Sequence, residues 1–200
     1  MPFTAIFGGT FNPFHIGHLK MLKALDDAPF IDEIFVMPDK IPPHKSAEAL
    51  VEDEIRIECC RLCLKNIKKA RLCLIEFERE GKSYTYDTLL KLKEKYPNKN
   101  FCFVMGGDML VYFDKWYRNE ELIKMLSFIV FKRADTDITD FNNCIEKFRK
   151  KGMEIILFDD IIPNVSSTEI RNDFSKAKEL LPREVFEYLK GKGVYGGKLR

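Results

Sequence analysis

Two kinds of hydrophobic pattern alternate along the chain. Short stretches are apolar at nearly every position, which is typical of strands buried on both faces of a sheet. Longer stretches repeat apolar residues every three or four positions, which is typical of amphipathic helices. The pattern predicts strands at 3–7, 31–37, 71–76, 100–105, 128–131 and 154–158. It predicts helices at 16–25, 49–64, 83–96, 109–126, 138–151, 168–174 and 182–190, of which the one at 109–126 is either one helix or two pieces.

Strands that alternate with helices predict the fold class. We expect an α/β fold of the Rossmann-like type, with an open, mostly parallel sheet and helices on both faces. A chain of 200 residues with 46% hydrophobic content fits one domain over residues 1–200, in which residues 165–200 form a small C-terminal helical part.

Composition excludes several classes of partner. The net charge of +2 is nearly balanced, so we expect no nucleic acid partner. No apolar run approaches the roughly 20 residues that span a bilayer. The N-terminal residues do not show a signal-peptide pattern. We therefore expect no membrane partner and a cytoplasmic location with reduced cysteines. The sequence leaves open whether the chain forms a homo-oligomer.

Cys60 and Cys63 form a CxxC pair, which in other proteins binds zinc or performs redox chemistry. Here the pair lies within a helical pattern, and no second CxxC or CxxH pair follows it. We favour small, buried or half-buried helix residues. A zinc or redox role is the alternative.

Glycine-rich segments follow two of the predicted strands. Gly8-Gly9-Thr10 ends the first strand, and Gly106-Gly107-Asp108 ends the fourth. Glycine permits positive φ and lets an anion approach the backbone, so we expect a tight loop at the first segment. Because the carboxyl ends of parallel strands lie at the same edge of a sheet, both segments are expected on the rim of one ligand site.

His15 and His18 lie three residues apart at the start of the next predicted helix. Both can face one anion beside the free N–H groups of that helix. The residues alone allow surface or capping histidines, a zinc pair that needs His44 as its third ligand, or a phosphate-binding pair. The preceding Gly-Gly-Thr segment favours phosphate. The sequence lacks P-loop, GxGxxG, HExxH and GxSxG motifs.

Residues 7–19, read as FGGTFNPFHIGHL, resemble the HxGH signature of the nucleotidyltransferase superfamily. The chain is more closely similar to bacterial nicotinate-nucleotide adenylyltransferases, because further motifs follow in that family's order. These motifs are residues 42–45, 83–88, 107–108 with Trp116, and 165–171. Asn12 departs from the family pattern, in which Asp is common. It stands in a turn, so we expect little consequence.

The resemblance implies transfer of AMP from ATP to nicotinate mononucleotide, giving deamido-NAD and pyrophosphate. It implies that His18 stabilises the transition state at the α-phosphate and that His15 holds phosphate oxygens of ATP. Both imidazoles are expected to be donors near neutral pH, especially where an anion favours the protonated form. Mg²⁺ is the implied cofactor, held mainly by substrate phosphates and not by a protein metal site. Further implied ATP contacts are Gly8, Gly9, Thr10, Phe11, Asp108, Arg133, Ser167, Thr168 and Arg171.

The implied mononucleotide contacts are His44, Lys45, Tyr84, Thr85 and Trp116. Trp116 would stack on the pyridine ring, and the N–H groups of the helix that begins near Tyr84 and Thr85 would bind its carboxylate, which favours the acid over the amide. The alternative within the class uses nicotinamide mononucleotide, or both acceptors. Less favoured are a phosphopantetheine adenylyltransferase and a nucleotide-binding module without catalysis.

Overall fold

A sheet of parallel strands forms the centre of the protein in the computed structural model, which describes residues 1–42, 50–133 and 137–195. The strands lie in the order β3-β2-β1-β4-β5-β6, and every neighbouring pair in the described part of the chain is parallel. The predicted α/β class is therefore confirmed. The strands are β1 (Phe3–Gly9), β2 (Ile31–Pro38), β3 (Ala70–Leu72), β4 (Phe101–Gly106), β5 (Ser127–Arg133) and β6 (Glu154–Ile162).

Helices cover both faces of the sheet, as the sequence pattern predicts. One core contains α1, α2 and α7 to α9, and the other contains α3 to α6. Ala5 and Phe7 of β1 point into the first core and Ile6 points into the second, because side chains alternate along a strand. The helices are α1 (Ile16–Asp27), α2 (Asp53–Leu64), α3 (Thr85–Lys95), α4 (Gly107–Val111), α5 (Asn119–Met125), α6 (Ile138–Lys150), α7 (Ser167–Asn172), α8 (Ala177–Leu180) and α9 (Arg183–Lys192).

The third strand is shorter than the sequence predicts. β3 ends at Leu72, and a 3-10 turn at Ile75–Glu78 takes the place of the strand expected up to residue 76. Ile75 and Glu76 are both buried within this turn. Glu76 is turned inward because Arg79 and Thr88 bind its carboxylate.

The helix predicted over 109–126 is divided into α4, a 3-10 turn at Phe113–Lys115, and α5. Phe113 is completely buried, and its ring packs against those of Phe128 and Phe148, so the chain turns inward at this point. After the turn Trp116 is extended, with φ −73° and ψ 141°. The alternative of two helical pieces over 109–126 is therefore confirmed, whereas the position of the turn was not predicted.

Two smaller differences concern the start of one helix and the presence of another. α2 begins at Asp53, and residues 50–52 precede it outside a helix, whereas the pattern predicts a start at residue 49. The short α8 was not predicted.

Arg56, on α2, ties together the two loops that follow β1 and β2. It is completely buried. Its Nη1 donates to the carbonyl of Thr10 at 2.9 Å and to that of Asp39 at 2.7 Å, and its Nη2 lies 3.4 Å from the carbonyl of Lys40. Asp53, one turn earlier on α2, pairs with the same guanidinium. A planar guanidinium with several donors suits this position, because it can satisfy several carbonyls at once.

The substitution Arg56→Met should destabilise the protein. It keeps an apolar stem but leaves the carbonyls of Thr10 and Asp39 without their donor, so we expect a loss of about 3 kcal/mol in unfolding free energy. For a chain of this size the melting temperature should fall by about 6–12 °C, measured by calorimetry.

The matched control is Arg61→Met. Arg61 pairs with Glu58 at the same i,i+3 spacing, but 58% of its side chain is exposed. Its replacement should change the unfolding free energy by less than about 0.5 kcal/mol. Equal effects of the two substitutions would contradict the role given to Arg56.

Candidate active site

A cleft of about 830 Å³ opens at the carboxyl edge of the sheet, above β1 and β4. The strand order reverses between these two strands, so their following segments leave on opposite faces and the cleft lies between them. The expectation that both glycine-rich segments share one rim is confirmed. The predicted site residues that line the cleft are Gly8, Gly9, Thr10, Phe11, His15, His18, Tyr84, Thr85, Asp108, Trp116, Arg133, Ser167 and Thr168.

Three further predicted residues need separate mention. Arg171 is described but is not among the cleft residues. Lys45 and His44 lie outside the described residues, so their predicted contact with the mononucleotide stays a prediction, and the alternative of a zinc site with His44 stays untested.

At the end of β1, Gly9 is suited to its position because it has no side chain, and not because it permits positive φ. Gly8 and Gly9 belong to β1, and neither has positive φ; the left-handed residue is Phe11, with φ 47°. A Cβ at Gly9 would lie 3.0 Å from the ring of Phe11. The positive φ that glycine permits is therefore not used at either position, whereas the tightness expected of this segment is found at Gly9.

His15 and His18 form a reciprocal capping box at the start of α1. The backbone N–H of His18 donates to Nδ1 of His15 at 3.4 Å, and the backbone N–H of His15 donates to Nδ1 of His18 at 3.2 Å. The rings stack with centroids 3.6 Å apart. A Cβ at Gly17 would lie 3.1 Å from the ring of His15, so glycine leaves room for this arrangement.

The reciprocal bonds determine the tautomer of both rings. A ring nitrogen that accepts a hydrogen bond carries no proton, so each neutral imidazole carries its proton on Nε2. Both rings line the cleft and have Nε2–H as their remaining donor group. The pair can therefore bind an anion while each ring is neutral.

Burial and a neighbouring charge both act on the protonation of His15. Burial lowers the pKa of His15 from its ordinary 6.5 to about 3, and the positive charge of Arg133 acts in the same direction. Only 7% of the residue is exposed. In this structure His15 is therefore a neutral donor near pH 7, and the expectation that a bound anion favours its protonated form stays a prediction.

Arg133 joins the two sides of the rim. Its Nη1 donates to the carboxylate of Asp108 at 3.1 Å, and its Nη2 donates to the carbonyl of Val165 at 2.7 Å. Its positive charge also acts on His15, so the rim and the histidine pair are electrostatically linked.

Three side chains of the 165–171 motif form hydrogen bonds within the protein. One caps α7, and two bind carbonyls of the loop after β1. Ser166 caps α7 by accepting from the backbone N–H of Glu169 at 3.1 Å. Ser167 Oγ donates to the carbonyl of Pro13 at 2.9 Å, and Arg171 Nη1 donates to that of Asn12 at 2.7 Å.

Arg171 also donates to Thr168 Oγ1 at 3.0 Å. Its guanidinium therefore holds a cleft residue and the first loop together. Its predicted contact with ATP stays a prediction.

Asn12 is more deeply involved than its place in a turn suggested. It is 1% exposed, and its Oδ1 accepts from the hydroxyl of Tyr195 and from the backbone N–H of Val51. Sequence reasoning missed these contacts because the partners are distant in the chain. An Asp would offer the same acceptor oxygen, so the departure from the family pattern preserves both bonds.

The opposite end of the cleft is aromatic. The half-buried indole of Trp116 meets the ring of Phe103 edge-on at 5.4 Å. Tyr84 packs against Tyr117 with ring centroids 4.9 Å apart. Tyr84 is also the N-cap residue of α3, where no side chain accepts from the first N–H groups of the helix. A flat ring and a negative group could therefore bind side by side.

Among the cleft residues that the sequence analysis missed are Asp39, Lys115 and Tyr117. Asp39 accepts from Thr10 Oγ1 at 3.3 Å, which links the loops after β1 and β2. Its place next to the proline-rich segment was a usable signal. Lys115 and Tyr117 flank Trp116, and the turn that places them was not predicted.

Comparisons with known proteins agree with this geometry. The family model described as cytidylyltransferase-like matches residues 6–173. The nicotinate-nucleotide adenylyltransferase of Bacillus subtilis is 39% identical over 194 residues, covering 95% of this chain and 96% of that protein. The chain belongs to the nicotinate-nucleotide adenylyltransferase family.

Solved structures of the family have the same fold. The Plasmodium falciparum nicotinic acid mononucleotide adenylyltransferase in complex with NaAD superposes with a TM-score of 0.82 at 26% identity, and both chains are covered completely. The same enzyme in complex with APC also gives 0.82, at 25% identity.

The cysteine and metal alternatives find no support in the described part of this adenylyltransferase. Cys60 and Cys63 are buried, and burial raises the pKa of both thiols. Buried thiols of this kind are inert.

Across residues 1–42, 50–133 and 137–195, no three His, Cys, Asp or Glu side chains are grouped as metal ligands would be. A search of the same residues finds no helix with the length and apolar character needed to cross a bilayer.

The neutral state of His15 predicts a pH dependence of stability. Its folded pKa of about 3 lies below the unfolded 6.5, so between these values the unfolded chain binds more protons and stability falls as the pH falls. From pH 7 to pH 5 this one group should remove about 2 kcal/mol of unfolding free energy.

The measurement is urea unfolding of the wild type and of His15→Asn at pH 7, 6 and 5. Asn can cap α1 but does not titrate, so its curve should lack this part of the decrease. If both proteins lose the same free energy over this range, His15 is not held neutral by the fold.

Proposed function

We propose that this protein transfers AMP from ATP to nicotinate mononucleotide, giving deamido-NAD and pyrophosphate, with His15 and His18 as its catalytic pair. Membership of the nicotinate-nucleotide adenylyltransferase family supports the reaction. The observation that carries the assignment of residues is the reciprocal histidine pair, which opens into the same cleft as Trp116 and the uncapped start of α3.

The chemistry needs no nucleophile from the protein. An oxygen of the mononucleotide phosphate attacks the α-phosphorus of ATP, the bond from that phosphorus to the bridging oxygen breaks, and pyrophosphate leaves. Catalysis then depends on alignment of the two substrates and on donors aimed at the phosphoryl oxygens. We assign the Nε2–H of His18 to the α-phosphate and that of His15 to neighbouring phosphate oxygens of ATP.

The remaining ATP contacts follow the two sides of the rim. We propose that the backbone of residues 8–11 approaches the phosphates, that Asp108 accepts from a ribose hydroxyl, and that Ser167 and Thr168 bind the β- and γ-phosphates. The C-terminal part of the chain would thus complete the ATP site. Arg133 and Arg171 support these contacts through carbonyls of the rim and contribute positive charge.

Mg²⁺ fits this site as a companion of ATP. The groups that face the proposed phosphate position are mainly donors, namely imidazoles, hydroxyls and guanidinium, which suit phosphate oxygens and not a cation. We propose that Mg²⁺ would be held mainly by substrate phosphates, where it would supply positive charge that balances the pyrophosphate, while the residues of the cleft orient the phosphate oxygens.

We propose that the acceptor binds at the aromatic end. The pyridine ring would stack on Trp116, and its carboxylate would accept from the first N–H groups of α3 at Thr85. An amide has no negative charge to place there, so the acid is preferred. Lys45 and His44 are proposed to approach the mononucleotide phosphate. Because its six cysteines are all free, we also propose a reducing, cytoplasmic location.

The acceptor can be identified by measuring pyrophosphate release with ATP, Mg²⁺ and one acceptor at a time. We expect nicotinate mononucleotide to give the highest kcat/KM, followed by nicotinamide mononucleotide, with no release from phosphopantetheine. Faster reaction with nicotinamide mononucleotide would overturn the substrate but keep the mechanism. No release with any acceptor would indicate a binding module without catalysis.

The substitution His18→Ala should lower kcat by about 10²- to 10³-fold, which is the usual effect of removing one donor from a developing oxyanion. The KM for ATP should change much less, because the donor acts mainly in the transition state. The comparison variant His18→Gln retains an amide N–H and should recover part of kcat. An alanine variant within threefold of wild type would exclude the assigned role.

A further inference from the structure

We infer that Arg79 is a positioning residue that determines the preference of the site for an acidic over a neutral pyridine. The inference rests on the proposed function, since it concerns the acceptor end of the same cleft. Arg79 does not line the cleft; it acts from behind, through the peptide bond that joins Tyr84 to Thr85.

Arg79 belongs to a buried polar cluster beneath the start of α3. Only 17% of its side chain is exposed, and the side chain of Glu76 is 3% exposed. Nη2 of Arg79 donates to Oε2 of Glu76 at 3.1 Å and to Oγ1 of Thr88 at 3.1 Å. Thr88 in turn contacts the carboxylate of Glu76. Asp87 lies 3.5 Å from Nη1 of Arg79.

The cluster holds one particular carbonyl. The carbonyl oxygen of Tyr84 accepts from the backbone N–H of Thr88 at 3.1 Å, lies 3.0 Å from the hydroxyl of Thr88, and lies 3.5 Å from Nη2 of Arg79. In a planar trans peptide the carbonyl and the following N–H point in opposite directions. Fixing the carbonyl of Tyr84 toward the buried cluster therefore directs the N–H of Thr85 out of the helix, at the point where Tyr84 and Thr85 line the cleft.

The same cluster is tied to the loop after β2. Nζ of Lys40 donates to the carbonyl of Arg79 at 2.8 Å. Oγ of Ser83 accepts from the backbone N–H of Lys40 at 3.1 Å, and the backbone N–H of Ser83 donates to the carbonyl of Ile41 at 2.8 Å. The start of α3 is thus fixed from two sides before any ligand binds.

The charges around Arg79 indicate that it orients a backbone donor and does not attract the substrate directly. Its guanidinium is paired with Glu76 and lies beside Asp87, so little net positive charge is left to attract a substrate carboxylate. Its remaining effect is to fix the direction of the backbone N–H of Thr85. A carboxylate gains a charge-assisted hydrogen bond from a donor held in this direction, whereas an amide gains much less.

The test compares kcat/KM for nicotinate mononucleotide and nicotinamide mononucleotide at saturating ATP in the wild type, Arg79→Met and Arg79→Lys. Lysine keeps the charge but cannot span Glu76, Thr88 and the Tyr84 carbonyl together. In both variants we expect the preference for the acid to fall about tenfold, the effect of losing one hydrogen bond to a charged group. The KM for ATP should change by less than about twofold, since the ATP end is untouched.

Two further variants control for folding. Thr88→Val keeps the shape of the side chain but removes the hydroxyl, and it should lower the preference for the acid in the same direction. It provides the test if Arg79→Met does not fold. Arg61→Met removes an exposed arginine with the same i,i+3 pairing to a glutamate and should leave the preference unchanged. Melting temperatures of all variants show which of them are folded.

The outcomes separate this inference from the proposed function. If the wild type prefers the acid, but the folded variants lose activity equally with both acceptors, Arg79 is only structural and the inference fails alone. If the wild type shows no preference for the acid, the proposed substrate fails and the inference fails with it. If the folded variants lose kcat/KM selectively with nicotinate mononucleotide, both the proposed function and the inference are supported.

Discussion

The parallel pairing of β1 with β4 is the constraint on which the rest of the site depends. The two strands are adjacent in the middle of the sheet, with Ala5 opposite Cys102 and Ile6 opposite Phe103. The helices that follow them pack on opposite faces, so the carboxyl edge is uncovered between them. A nucleotide site at this point requires no special loop, only two strands whose connections diverge. The histidine pair and Asp108 are close because they follow these two strands directly.

The parts of the site that follow a strand directly were predictable from the sequence. His15 and His18 stand at the start of the helix that follows β1, and Asp108 follows β4 directly, so local pattern and parallel topology place them. The aromatic end was less predictable because a break in the helical pattern places Trp116 in the cleft. That break depends on the burial of Phe113 against residues far along the chain, which no local pattern reports.

The buried polar contacts could not be predicted for a related reason. Arg56 lies on the same face of α2 as Cys59, Cys60 and Cys63 and is completely buried, whereas Arg61 lies on another face and is largely exposed. The helical pattern can indicate which arginine faces the core, but not which groups its guanidinium binds. Those groups are carbonyls of distant loops, which become partners only after the sheet has formed. Contacts of this kind depend on tertiary structure and leave no periodic signal.

These contacts give the protein a common way of building anion sites. Arg56 and Arg133 donate to the carbonyls of Thr10 and Val165 at the rim of the cleft, and Arg79 lies 3.5 Å from that of Tyr84. Since the carbonyl and N–H of one trans peptide point in opposite directions, a cation that fixes the carbonyl from behind also fixes the N–H of the next residue. The N–H groups of these peptides are then neutral donors of fixed direction, beside the Nε2–H of His15. Such donors need little reorganisation when charge develops on a phosphate, because their orientation is established when the protein folds.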